Sequence, residues 1–115
     1  MGKFSFVDGI CVNPVEAAGL DYTCPDGGVN RNRIDMACFD GMWGACPVAI
    51  TASGGMYSSV RMMDCTYPTT QSAVKAAVTK LWRWCESDVN LTEGDRCHVK
   101  DLCRLADDTI QPTLF

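Results

Sequence analysis

A chain of 115 residues, 47% apolar, is long enough for one domain with a modest core, and its composition points away from disorder. The net charge is −4, and no basic face is large enough to track phosphates or an anionic membrane surface, which argues against nucleic-acid and membrane partners. The longest uncharged run, Gly41 to Val60, is rich in Gly, Ser and Pro and does not read as a membrane span.

Taken in order, Lys3 to Val12 is rich in Phe, Val and Ile and predicts a strand, with Gly9 as a bulge. Asn13-Pro14-Val15-Glu16 has the form of a short helix start, with Asn13 as cap and Gly19 as stop. Asp21 to Asn32 holds Pro25, Gly27 and Gly28 and predicts a loop anchored by Cys24. Arg33 to Phe39 reads as a strand that ends before the turn pair Asp40-Gly41. Pro47 to Ala52 predicts another strand, Ser53-Gly54-Gly55 a hairpin connection, and Met56 to Thr66 the returning strand, with its Val60 and Met62 side buried.

The strongest element is the helix Thr69 to Cys85. Thr69 and Thr70 can cap it, and Val74, Ala77, Val78, Leu81, Trp82 and Cys85 form one apolar face. Because that face ends in a cysteine, the helix is expected to be both buried and covalently tied. Glu86 to Glu93 reads as a polar loop. Asp95 is expected to cap a second helix, Arg96 to Asp108, with Val99, Leu102, Leu105 and Ala106 on its buried stripe. Gln111-Pro112 should end regular structure. Strands followed by helices predict an α+β fold: an antiparallel sheet of about four strands with two main helices packed on one face. The whole chain, 1–115, is expected to be a single domain.

Eight cysteines are the compositional anomaly. Cys11, Cys24, Cys38, Cys46, Cys65, Cys85, Cys97 and Cys103 never fall in the close pairs that place two thiolates on one zinc. In a small domain the even count therefore predicts disulfide staples, and with them an oxidising, extracellular location. No signal peptide is visible at Met1-Gly2-Lys3, so a mature secreted form is expected. Phe6 stands where a myristoylation signal needs Ser or Thr. Asn90-Leu91-Thr92 is an N-glycosylation sequon and suits a surface loop of a secreted protein.

Catalytic chemistry is hard to find. His98 is the one histidine, and Cys97 beside it cannot face it on a helix, so His98 is expected to be exposed and structural. Fourteen carboxylates show no spacing that selects a catalytic pair, and no nucleophile motif occurs. Asp26, Asn30, Asn32 and Asp35 could ligate calcium in an irregular loop, but a solvated Gly-rich loop is the better reading. No cofactor or metal is expected. Trp82 reads as core. Trp84, on the other side of the helix, and Trp43, in a turn between Gly41 and Gly44, are candidate partner contacts, as is Tyr57 on its strand.

The two helices, four strands, eight cysteines and the pair Trp82-Arg83 resemble the LARS group of avirulence effectors. Fungal pathogens secrete these onto plants; they pair an antiparallel sheet with helices and carry a short Trp-Arg motif. Trp84-Cys85 follow that pair here, a departure from the pattern. The resemblance implies a secreted, non-enzymatic virulence factor that contacts a host protein, either its target or an immune receptor, expected here as a monomer. Two other classes compete. A protease inhibitor or killer-toxin-like antimicrobial would use a protruding loop, Phe39 to Ala45, gripped by Cys38 and Cys46. A small hydrolase would show a cleft with two acids and a raised pKa.

Overall fold

The structure is a computed structural model that describes residues 3–110. The expectations for the chain start and for Gln111-Pro112 lie outside them. Strands β1 (Phe6–Val7) and β2 (Ile10–Cys11) form a small hairpin around Asp8-Gly9, both at positive φ. A two-residue turn of that kind matches the twist of its strands. The predicted first strand is thus two short ones, and Gly9 is a turn residue.

Four strands make the main antiparallel sheet: β3 (Val15–Thr23), β4 (Val29–Phe39), β5 (Met42–Ile50) and β6 (Gly55–Tyr57), in that spatial order. Helices α1 (Thr70–Ser87) and α2 (Glu93–Ile110) both cover one face. The α+β expectation holds. Along β4 alternate residues take opposite faces. Ile34 and Met36 join the core beneath the helices, while Ala37 joins a second cluster on the other side with Cys11, Cys46, Val60 and Cys65.

The helix expected after Asn13 is instead β3. Asn13 does not cap; its side chain accepts from Ser5 N at 2.7 Å and donates to Lys3 O at 2.8 Å, pinning the amino-terminal segment. Gly19 lies mid-strand, opposite Arg33. A Cβ there would come within 2.5 Å of Glu16 Oε2 and 2.8 Å of Arg31 Cζ, so the residue clears room for an ion pair crossing above it. The predicted loop is also shorter. Only residues 24–28 turn, and Asn30 to Asn32 belong to β4, because the Asn32 amide is satisfied by both backbone groups of Ile50.

The strand expected over Met56 to Thr66 survives only as β6. The chain then drops beneath the sheet, where Asp64 accepts from Arg61 N at 2.9 Å and closes a single turn over Met62–Asp64. Val60 is buried as expected, but Met62 faces outward. Helix α1 has the expected cap and face: Thr69 accepts from Ser72 N, and Ala73, Val74, Ala77, Val78, Leu81 and Cys85 are buried. Helix α2 begins earlier than predicted, because Thr92 rather than Asp95 caps it, accepting from Asp95 N at 3.2 Å. Val99, Leu102 and Ala106 are buried, whereas Leu105 is exposed.

The disulfide expectation is overturned. Cys11, Cys24, Cys38, Cys46, Cys65, Cys85, Cys97 and Cys103 are all free thiols. The helix pair shows why two of them stay apart. Cys85 Sγ faces Arg96 O, while Cys103 Sγ faces Val78 O. Each thiol thus meets a backbone carbonyl of the opposite helix rather than the other sulfur. Five of the eight are buried and pack as small apolar side chains. Apolar burial between sheet and helices, not crosslinking, holds the fold.

Candidate interaction groove

Asp40 and Gly41 connect β4 to β5 with φ of 55° and 79°. This two-residue turn sets Phe39 opposite Met42 and Cys38 opposite Trp43. The amino-terminal segment, held by Asn13, lies alongside. Phe4 meets Trp43 edge to face, with centroids 5.8 Å apart, and Phe6 meets Phe39 in the same manner at 5.3 Å. The Trp43 backbone is fixed from a third side, since its N–H donates to Tyr67 O and its carbonyl accepts from Tyr67 N.

These aromatics and Met62 line an open, mainly apolar cavity of about 820 Å³. Lys3 and Asp40, both exposed, supply one charge of each sign. Val7 and Met63, next in sequence to Phe6 and Met62, are 56% and 71% exposed but are not on its lining. A concave aromatic site with a few charges suits the docking of an apolar side chain or ligand.

Of the candidate contacts, only Trp43 lies in this groove. Tyr57 is 68% exposed on edge strand β6 and borders a separate cavity of about 350 Å³, together with Arg61, Asp64 and Lys80. Trp84 is half-buried and packs against the main core, so it is not a free anchor. Trp82 packs there too, beneath Lys100 Nζ at 5.0 Å from its ring. Asn90 is exposed in the α1–α2 connection. Phe4 and Phe6 carry no sequence signal for a site, while Phe39 reads only as the start of the candidate inhibitor loop and Met62 only as buried. The available signal was Asp40-Gly41 itself, which sets Phe39 and Trp43 on either side of one tight turn.

The protruding loop proposed for an inhibitor does not form. Phe39 to Ala45 is a tight turn continuous with two paired strands, and Cys38 and Cys46 at its ends are unlinked. Burial, with Asp64 beside it, pushes the Cys46 thiol up to about 11. The proposed calcium ligands do not converge. Asp26 sits in the 24–28 turn, while Asn32 and Asp35 differ in parity along β4 and take opposite faces. Burial raises the Asp35 carboxyl although Arg33 pairs with it at 2.9 Å. The cleft of about 210 Å³ that Asp35 borders carries no second acid on its lining.

His98 is not exposed as expected. It is half-buried, packs edge-on against Tyr22 at 5.1 Å, and meets the Asn32 side chain. Asp95 on the same helix accepts from Tyr22 Oη at 2.8 Å and from Ser53 N and Oγ. Burial works to raise the Asp95 carboxyl, but the Ser53 and Tyr22 donors outweigh it and hold it below its ordinary value. This cluster ties α2 to the sheet.

No family model, curated protein or solved structure matches the chain. Among the described residues no helix is long and apolar enough to cross a membrane.

Proposed function

We propose that this protein is a secreted, monomeric, non-enzymatic interaction protein, of the kind fungi deploy as effectors, and that it docks on a host protein through the groove around Trp43. The observation that carries the reading is the groove's make-up: four aromatic side chains and Met62 around about 820 Å³, with Lys3 and Asp40 as its charged groups. That chemistry buries an apolar anchor from a partner and orients it with a charge of each sign. Neither nucleic acid nor membrane suits an acidic chain with an aromatic groove. Secretion is supported by the exposed Asn90 sequon. The sheet-and-helices architecture is the one the avirulence-effector resemblance implies.

The test is infiltration of the purified protein into leaves of a panel of plant lines. A response in at least one line is expected, lost in Trp43→Asp and kept in Val89→Ser, a change at a site remote from the groove in sequence and 90% exposed. No response in any line, or equal responses to both variants at unchanged circular dichroism, overturns the proposal.

A further inference from the structure

We propose that His98, Asn32, Tyr22 and Asp95 form an acid-released latch that fastens the start of α2 to the ends of β4 and β5. The argument begins at Asn32, whose side chain is fully buried. Its Oδ1 accepts from Ile50 N at 2.8 Å. A backbone N–H can only donate, so the orientation of this amide is fixed by its partner. Nδ2 is then the donor, shared between Ile50 O at 3.3 Å and His98 Nε2 at 3.2 Å. It follows that His98 Nε2 must accept, and the ring is neutral with its proton on Nδ1.

A second proton on Nε2 would face the Asn32 amino group, donor against donor. Asn32 cannot turn over to help, because turning sets its amino group against Ile50 N–H. The ring itself is held by Tyr22, whose hydroxyl donates to Asp95 and accepts from Ala52 N at 3.0 Å. Ser53 completes the clasp by donating to Asp95 and accepting from Thr92 N at 3.0 Å. Five segments therefore meet here: β3, β4, the end of β5, the 51–54 turn and the first two turns of α2.

The charges around the ring are accounted for element by element. Asp95 and Asp101 on α2 favour protonation, but burial outweighs them and holds His98 below its ordinary value. From β3 the neighbours are the Tyr22 phenol and, beyond it, Cys24. From β4 it is neutral Asn32. Arg31 and Arg33 occupy the alternate positions of that strand and pair with Glu16, Asp21 and Asp35. A group whose folded pKa is depressed stabilises fully above its unfolded value, near 6.5, and that stabilisation is lost as pH falls toward the folded value. Acidification thus opens the latch and frees the 51–54 turn from α2.

The chain has one histidine, so ring nitrogen resonances in NMR report this site without ambiguity. The expected result is the Nδ1–H tautomer at neutral pH and titration below the ordinary value. In parallel, hydrogen-exchange protection of the Ile50 and Ser53 amides should drop about tenfold per unit of pKa depression between about pH 7.5 and 5, while Leu81 holds. His98→Gln keeps an acceptor without a titrating group and should remove that pH dependence. Titration at or above the ordinary histidine value overturns the latch, as does an unchanged pH response in His98→Gln.

Discussion

Phe4 stands edge-on to Trp43, with ring centroids 5.8 Å apart and planes at 83°, although they lie 39 positions apart in the chain. The contact joins the amino-terminal segment to the β4–β5 turn and builds one wall of the groove. Aromatic pairs in this geometry contribute about 0.5–1.5 kcal/mol beyond area burial. A double-mutant cycle with Phe4→Leu and Trp43→Leu, followed by urea unfolding, should return a coupling energy in that range. A coupling near zero means that the segment does not rest on Trp43.

The thiols give a second prediction. Exposed Cys97 should be the first site alkylated by iodoacetamide in the native protein. Cys103, pushed up to about 12 by burial, and Cys46 should be the slowest. Reductant should leave the thermal midpoint unchanged, since the fold has no crosslink to lose. A midpoint that falls with reductant, together with fewer than eight titratable thiols, contradicts the free-thiol structure.

Arg96 gives a third. Its guanidinium donates to Cys85 O, Asp88 O and Leu91 O, carbonyls at the end of α1 and in the connection to α2. The last carbonyls of a helix have no partner within it. Arg96→Ala should therefore destabilise by about 1–3 kcal/mol, measured by urea unfolding, because buried acceptors are left unmet. Arg96→Lys should restore less than half, since an ammonium cannot reproduce the planar fork. Full rescue by lysine shows that charge alone matters there.

Much of the architecture was legible because it depends on local pattern. The spacing of Val74, Val78, Leu81 and Cys85 reads as a helix whatever packs against it, and Asp40-Gly41 reads as a turn. The failures share a cause. Asn13, Gly19 and Asn32 each carry a local preference for caps, stops or loops, and each is claimed by a distant partner: Lys3 and Ser5, the Glu16–Arg31 pair, and Ile50. Asp95 carries the same local preference, and Tyr22 and Ser53 claim it. The cysteines misled differently. Their even number predicts crosslinks, but pairing depends on distances that pattern does not carry. The groove is half visible: Trp43 stands out from its place in a turn, while Phe4 and Phe6 join it only through the fold.

The central claim is that a partner docks at the groove, and site-specific photo-crosslinking tests it most directly. A photoreactive residue replaces Phe39 in one preparation and exposed Val89 in another, each applied to a responding plant line. The account predicts one host-protein adduct from position 39, absent from position 89 and abolished when Trp43→Asp is added. Adducts that form equally from both positions, or that persist in the Trp43→Asp background, contradict it.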